Sequence, residues 1–206
     1  ISSIVSGPTV SPKDWVTQIA LGIQTTARIS ASDTHPNLFH HTLHLFENNP
    51  KMIPNIKEFC AGAFRDLREN LYLVSTEDYI DEWNLTEDQL SATEGAGRSG
   101  SLFCFSRTKK FIFKTIFRSE VDSLISMIKK YHKYCHQQPD TLIMRMMGLY
   151  CFSRDSVAAN FTYVLVFGNV MWSGIEKPLK IHQVFDLKGR RTKVSCNIAT
   201  EEKFRS

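Results

Sequence analysis

The spacing of apolar residues changes abruptly near residue 119, and this change limits the folds that the chain can adopt. Phe111–Ile116 alternate with the period of two that is typical of a β-strand. A shorter apolar segment, Leu102–Phe105, precedes them across a polar turn, so the two segments predict a hairpin. From Ser119 to about Gln137 apolar residues recur at helical spacing, and Pro139 follows, which predicts one long helix.

The N-terminal part of the chain predicts further helices. Ser11 is followed by proline and an acidic residue, which is typical of a helix cap. Lys57–Tyr72 form a second amphipathic stretch. In that stretch Arg65, Arg68 and Glu69 are expected to face water, because they lie off its apolar stripe.

Two more segments predict strands, Tyr163–Phe167 and Val184–Leu187. Ser119–Asp122 resembles a capping box at the start of the long helix. The order of helices, hairpin, long helix and strands predicts an α+β fold. We expect a twisted antiparallel sheet between about Ala96 and Leu187, with N-terminal helices and the long helix packed against it.

Size and composition are those of one globular domain or large lobe, since 206 residues that are 42% hydrophobic can bury a real core. A net charge of +4 permits an anionic partner without requiring one. Residues 1–10 lack the basic start and apolar core of a signal peptide. The five cysteines are odd in number and form no CxxC motif, which favours a reduced, cytoplasmic compartment.

Lys114 is the strongest local signal for a binding site. Strand alternation places it on one face with Ile112 and Ile116, while Phe111 and Phe113 point to the other. A charged amine between two isoleucines is costly if that face is dry and the charge is unpaired. The pattern therefore predicts an anionic ligand at Lys114, although a strand lysine is more often an exposed edge residue.

Two further features flank the Lys114 strand in the sequence. A segment containing Gly95, Gly97 and Gly100 precedes the hairpin, and its backbone N–H groups could fold over phosphates. An acidic helix start follows the lysine strand. Glycine loop, strand lysine and helix acid occur in this order in kinases. Because a single glycine-rich turn is usually only a turn, the motif by itself is a weak indication.

Two histidine clusters are near-misses for metal binding, and no metal site is expected. His40 and His44 could bind zinc if they were helical, but no cysteine or acid completes the set. His132, Cys135 and His136 are expected to be core and surface residues of the long helix.

Seven segments carry a more specific signal: Leu21–Thr25, Phe64–Arg68, Gly97–Ser106, Lys109–Ile116, Thr141–Tyr150, Tyr163–Val170 and Phe185–Gly189. In this order, over roughly Thr17 to Arg191, they resemble segments of phosphatidylinositol phosphate kinases. The last contains the family's DLKG signature. Two departures are Arg190, where the family usually has serine, and Gly168, where it usually has asparagine.

The resemblance implies a role for particular residues. Lys114 is expected to contact the ATP phosphates, and Glu120 to orient Lys114, with Asp122 as the rival acid. The residues expected to bind the nucleotide are Gly97, Arg98, Ser99, Gly100 and Ser101 over the phosphates, Val166, Phe167, Gly168 and Asn169 beside adenine, and Asp186 and Lys188 in the phosphate region.

The same resemblance implies a kinase-like N-lobe at residues 56–206, after an N-terminal helical extension at residues 1–55. It implies ATP and Mg²⁺ as cofactors, with the catalytic and magnesium-binding aspartates in a C-lobe outside this chain, since nothing after Lys188 resembles them. The implied partners are a phosphatidylinositol monophosphate, an anionic membrane surface and a second copy of the chain, but not nucleic acid. The implied location is cytoplasmic and peripheral at the membrane. The alternative is a catalytically inactive kinase-like module for dimerisation or regulation.

Overall fold

The architecture comes from a computed structural model that describes residues 11–46, 55–91, 101–153, 161–174 and 179–183. The helices are α1 (Pro12–Ala31), α2 (Ala61–Asp66), α3 (Thr76–Glu82), α4 (Glu87–Ser91) and α5 (Arg118–Gln137), and a π-helical turn, Leu67–Leu71, follows α2. The strands are β1 (Thr42–Leu45), β2 (Asn55–Glu58), β3 (Phe103–Phe105), β4 (Phe111–Ile116), β5 (Met146–Ser153) and β6 (Thr162–Gly168). The strand predicted at Val184–Leu187 lies outside the described residues.

The strands form one antiparallel sheet in the order β1-β2-β5-β6-β4-β3. The predicted hairpin is confirmed, since β3 and β4 pair with Cys104 opposite Phe113. The predicted strand at Tyr163–Phe167 is the core of β6 and lies between β5 and β4. Sheet and helices together confirm the predicted α+β class.

The first face of the sheet packs against the N-terminal helices. Ile19 of α1 and Tyr79 of α3 join Phe113 and Val166 of the sheet in one buried cluster. Trp83, at the end of α3, lies with its ring centroid 5.7 Å from that of Phe113. Each of these side chains is fully buried, so this layer is a well-packed core.

The second face packs against α2, the π-helical turn and α5. Phe64 and Leu67 meet Val121 of α5 and Leu149 of β5 in a second buried cluster. Because strand side chains alternate, the central strand β5 supplies both clusters, and all eight of its residues are buried. In the described residues no helix combines the length and the hydropathy needed to span a membrane.

The ends of α1 and α5 test two predicted caps. Ser11 caps α1 as predicted, because its Oγ accepts a hydrogen bond from the Asp14 N–H at 3.1 Å. The predicted capping box starts at Ser119, but the N-cap of α5 is Phe117, two positions earlier, so the predicted position is wrong. Glu120 still closes this helix end, because its carboxylate accepts from the Phe117 N–H at 2.7 Å.

The periodicity predicts an amphipathic stretch from Lys57 to Tyr72, but the helix in this stretch begins only at Ala61. The first residues of the stretch continue strand β2, and Cys60 then takes a left-handed conformation with φ 51°, which separates strand from helix. The prediction that Arg68 faces water is wrong, because this side chain is only 1% exposed. Its guanidinium donates to the Met147 carbonyl at 2.5 Å and lies 4.4 Å from the Tyr79 ring centroid, and these contacts offset the cost of burying the charge.

Strand β1 extends the sheet toward the N-terminus of the chain. It pairs with β2, so strands on both sides of residue 55 belong to one sheet. The boundary predicted at residue 55, between an N-terminal extension and the lobe, stays a prediction. Because Thr42–Leu45 is a strand, His40 and His44 do not share a helical face. His40 contacts Asp33, whereas His44 is buried beside Ser30 and Glu58, so these two histidines do not converge.

Candidate functional site

Lys114 lies in the middle of β4, half-buried on the second face of the sheet. Phe111 and Phe113 are buried in the cluster of the first face, on the other side of the strand. Ile112 and Ile116 are half-buried on the side of Lys114. The alternation predicted for this strand is therefore confirmed.

An apolar surface surrounds Lys114. Cross-strand pairing places Phe103 opposite Lys114, and places both Phe105 and Phe167 opposite Ile112. Residues directly opposite in antiparallel strands share a face, so these five side chains lie together, and we call them the open face of the sheet. Phe105 is 44% exposed, and Phe103, Ile112 and Phe167 are half-buried.

The amine of Lys114 points along this surface. Its Nζ atom lies 5.6 Å from the ring centroid of Phe103, which is within cation–π range. Among the described residues no hydrogen bond or ion pair engages the Lys114 amine, so its N–H donors can meet an anion. The open face thus combines flat apolar side chains with one positioned cation.

The two acids considered as partners of Lys114 are engaged elsewhere. Glu120 accepts from the Phe117 N–H, as described above, and Asp122 forms an ion pair with Arg118, with Nε–Oδ1 at 3.1 Å. Within the described part of the chain, no ion pair joins Lys114 to either carboxylate. The choice between Glu120 and Asp122 stays a prediction.

A groove of about 470 Å³ lies between α5 and the sheet, next to Lys114. It is lined by Ile116, Ser119, Glu120, Ser123, Leu124, Met144 and Leu165. Leu165 is the cross-strand partner of Lys114, which places the lysine at the edge of this groove. Glu120 therefore lines a groove that also contains the cross-strand neighbour of Lys114.

A second cavity of about 440 Å³ lies at the end of β6. Gly168 and Asn169 line it together with Lys110, Arg145 and Trp172. The backbone here is fixed by hydrogen bonds from the Gly168 N–H to the Arg145 carbonyl at 2.8 Å and from the Asn169 N–H to the Lys110 carbonyl at 2.9 Å. Lys110 and Arg145 give this cavity a positive charge.

The remaining predicted nucleotide contacts lie in four different places. Phe167 belongs to the open face. Val166 is fully buried in the first cluster, so its side chain faces away from Lys114. Ser101 is buried just before β3. The others, Gly97, Arg98, Ser99, Gly100, Asp186 and Lys188, lie outside the described residues, and all of these roles stay predictions.

Glu82 is a residue that sequence reasoning missed, and it holds the turn between β3 and β4. Its buried carboxylate accepts hydrogen bonds from the Ser106 hydroxyl at 2.5 Å, the Thr108 hydroxyl at 2.6 Å and the Thr108 N–H at 3.1 Å. The Ser106 hydroxyl in turn accepts from the Phe111 N–H at 2.9 Å. The end of α3 thus fixes the strand that carries Lys114. An acid at the end of a short helix gives no sequence signal of this contact.

Two ionisable groups near β4, Cys104 and Arg118, have raised pKa values. Burial raises the pKa of the Cys104 thiol to about 12, so this residue is a neutral part of the first cluster. Hydrogen bonds to the Tyr163 hydroxyl and to Asp122 raise the pKa of Arg118 above its usual value. Arg118 therefore stays charged, and Cys104 is not a reactive thiolate.

The open face fits a nucleoside triphosphate in composition. Ligand sites of this kind join apolar and aromatic walls to a few placed polar groups. Phe103, Ile112 and Phe167 form an apolar wall, and Lys114 adds one cation beside it.

Comparisons with known proteins show which proteins this chain resembles. The family model described as "Phosphatidylinositol-4-phosphate 5-Kinase" matches residues 84–204. Phosphatidylinositol 4-phosphate 5-kinase 9 of Arabidopsis thaliana is 35% identical over 133 residues, which are 65% of this chain and 15% of that protein. Phosphatidylinositol 5-phosphate 4-kinase type-2 beta of Homo sapiens is 32% identical over 151 residues, 71% of this chain and 33% of that protein.

The family match extends over more than half of the chain, and it includes β3, β4, α5, β5 and β6. The chain therefore belongs to the phosphatidylinositol phosphate kinase family. It spans at most about a third of the length of the curated relatives described here.

Proposed function

We propose that this chain is the ATP-binding lobe of a kinase that transfers the ATP γ-phosphate to an inositol hydroxyl of a phosphatidylinositol monophosphate. The observation that carries the proposal is the position of Lys114 on the open face, in a chain whose relatives are phosphatidylinositol phosphate kinases.

The role proposed for Lys114 is to hold phosphates by charge. Bound ATP supplies the phosphoryl group, and catalysis of its transfer depends mainly on positioning and on stabilising negative charge. Lys114 places a fixed cation at the edge of the groove that Glu120 lines. Glu82 keeps the strand of Lys114 in register through the Ser106 and Thr108 hydrogen bonds. The glycine segment 97–100 is proposed to cover the phosphates.

The rest of the reaction is proposed to depend on residues outside this chain. By resemblance, the magnesium-binding aspartates and the catalytic aspartate belong to a C-lobe. We therefore expect the 206-residue chain alone to bind ATP weakly and to phosphorylate lipid at no useful rate. Robust turnover by the purified chain would contradict this division of labour.

A substitution at Lys114 tests nucleotide binding directly. Lys114→Met keeps the length and apolar stem but removes the charge, so titration with a fluorescent ATP analogue should show a large loss of affinity. Thermal unfolding should change little, because one cation–π contact at a partly exposed ring contributes only about 0.5–1 kcal/mol. Lys133→Met, at an exposed position of α5, is the matched control and should bind like the unmodified chain.

The three readings of Lys114 give different results in this experiment. Lost binding with an unchanged melting temperature supports the phosphate contact. A lowered melting temperature with binding retained indicates a structural residue. Unchanged binding and stability would identify an exposed edge residue and would remove the main support for ATP binding.

We further propose that the protein is cytoplasmic and associates peripherally with anionic membranes. The net charge of +4 predicts weak attraction that salt screens. In liposome sedimentation, binding to anionic vesicles should decline between low and physiological salt. Binding that is insensitive to both salt and anionic lipid would contradict the proposal.

One observation favours the alternative function, a kinase-like module for dimerisation. β1 is an edge strand of the described sheet, and its outward residues Leu43 and Leu45 are 60% and 57% exposed. An exposed apolar edge strand is a surface on which a second chain can pair. A dimer in solution that binds no ATP analogue would support this alternative over the leading proposal.

A further inference from the structure

Three polar side chains converge between α2 and the C-terminal half of α5. The Asp66 Oδ2 atom lies 2.7 Å from Nε2 of His132 and 2.7 Å from Nε2 of His136. The ligand atoms of all three residues lie within 4.8 Å of one another. We call Asp66, His132 and His136 the helix-bridging triad.

The helical repeat explains why the two histidines meet. Residues four apart lie on the same helix face, so His132 and His136 project side by side, with ring centroids 4.7 Å apart. Asp66 is the last residue of α2, which packs against the sheet beside α5. The sequence separates the acid from the histidines by more than sixty positions, so their proximity is a result of the fold.

The geometry points to a binding site for Zn²⁺, or for a similar borderline divalent ion, at the helix-bridging triad. Two imidazoles and one carboxylate are a set of protein ligands that zinc uses, with the fourth position left to water or another ligand. Imidazole ligands favour zinc over magnesium and calcium, which prefer oxygen. This inference is independent of the proposed kinase activity.

The distances require only a small adjustment. Tetrahedral zinc with bonds of about 2.0–2.1 Å places its ligand atoms roughly 3.3 Å apart. Both Nε2–Oδ2 distances of 2.7 Å must therefore open by about 0.6 Å. Rotation of the exposed His136 side chain can open one of them, and a small rotation of the Asp66 carboxylate can open the other. Binding through Nε2 also requires the proton of each ring to sit on Nδ1.

The surroundings of the triad orient its ligands. The Asn70 side-chain amide donates to Asp66 Oδ1 at 2.8 Å, so the carboxylate keeps Oδ2 directed at the histidines. Outer hydrogen bonds of this kind fix the ligands of known metal sites. The Phe39 ring stands edge-on to His132 with centroids 5.6 Å apart and shields one side of the site.

Burial tends to raise the pKa of Asp66, but hydrogen bonds from Asn70, His136 and His132 outweigh it and hold this pKa below its usual value.

A bound ion would link α2 to α5 at a distance from the open face. Glu120 and His132 are twelve positions apart on α5, which corresponds to about 18 Å along the helix. The ion would thus take no part at Lys114. Its effect would be to fix the helix that carries Glu120 against the rest of the lobe.

The competing explanation is that the triad is only a hydrogen-bonded clamp, in which Asp66 accepts from two neutral histidines. Titration of the metal-free 206-residue chain with Zn²⁺ by calorimetry distinguishes the two. We expect one equivalent to bind and the melting temperature to rise with zinc concentration. Co²⁺ should give the visible absorption of a tetrahedral site.

Substitutions assign the binding to the triad. His136→Gln removes one direct ligand, so zinc affinity should fall by at least the roughly 10- to 100-fold that loss of an outer partner costs. The matched control is His40→Gln, because His40 also contacts a carboxylate, that of Asp33, elsewhere on the surface. It should leave zinc affinity unchanged. Asp66→Asn is a second test that keeps the shape of the side chain, and it should weaken binding as well.

Melting curves without metal show whether each variant is folded. Loss of zinc binding in a folded His136→Gln or Asp66→Asn chain, with His40→Gln unaffected, supports the site. No saturable zinc binding by the unmodified chain would overturn the inference, as would unaltered affinity in both triad variants.

Discussion

Removal of the Glu82 carboxylate should release the β3–β4 turn from α3. Glu82 is 6% exposed and accepts three hydrogen bonds, two from Thr108 and one from Ser106. In Glu82→Ala the Thr108 N–H loses this acceptor, and the Ser106 hydroxyl keeps only its bond from Phe111.

The expected loss of stability is about 3 kcal/mol. A hydrogen bond to a charged group contributes roughly 1.5–3 kcal/mol, so three such bonds amount to about 4.5–9 kcal/mol. Burying one carboxylate costs several kcal/mol, which the substitution recovers in part. Glu82→Gln keeps one acceptor oxygen and the side-chain shape, so its cost should be about 1–2 kcal/mol.

Urea unfolding followed by far-ultraviolet circular dichroism measures both variants. With a slope of about 2 kcal/mol per molar urea, Glu82→Ala should lower the midpoint by about 1.5 M. Glu77→Ala is the matched control, because Glu77 is exposed on the same helix, and it should change stability by less than about 0.5 kcal/mol.

A midpoint for Glu82→Ala equal to that of Glu77→Ala would refute the reasoning. It would mean that the hydrogen bonds to the Glu82 carboxylate stabilise the fold by no more than burial of that carboxylate destabilises it. If the turn also positions Lys114, Glu82→Gln should weaken binding of an ATP analogue while most of the chain remains folded.

Two further results are expected. Burial raises the pKa of Cys60 to about 11 and that of Cys104 to about 12, above the ordinary 9.0. The two thiols therefore contribute their whole share to the free energy of unfolding below pH 9, and this share is lost as pH rises through the pKa values of the folded chain. By pH 10 the loss should be about 1.4 kcal/mol for each thiol. Equal urea midpoints at pH 8 and pH 10 would contradict this. A side chain at Gly22 would place its Cβ atom 2.6 Å from Phe152 and 2.8 Å from Ile56. Gly22→Leu should therefore lower the free energy of unfolding by at least about 2 kcal/mol, measured by thermal unfolding. An unchanged melting temperature would show that α1 can move away from the sheet.

Elements in which apolar residues recur regularly over many positions could be predicted from the sequence. β4 and α5 are long enough for period 2 and period 3.6 to be distinguished, and both lie within a residue of their predicted bounds. β1 was missed because its four residues, Thr42–Leu45, are too few to establish alternation, and its two leucines face outward. Short edge strands are defined by their partners more than by their own sequence.

Long-range polar contacts are the features that periodicity cannot show. Arg68 lies on the polar side of its stretch, yet it is buried because the Met147 carbonyl, at an irregularity of β5, needs a donor. Lys114 was predictable because its alternation with isoleucines is local. Asp66 and His136, like Glu82 and Thr108, are brought together only by the packing of separate elements.

The pairing of β2 with β5 has a consequence for how the chain folds. Residues 55–58 pair with residues 150–153, so roughly a hundred residues form a closed loop before this ladder exists. Contacts so distant in sequence slow folding, because the entropy of closure is lost before the contacts form. During synthesis the β1–β2 segment must wait until β5 has been made, and we expect its backbone N–H groups to gain protection from hydrogen exchange later than those of the β3–β4 hairpin.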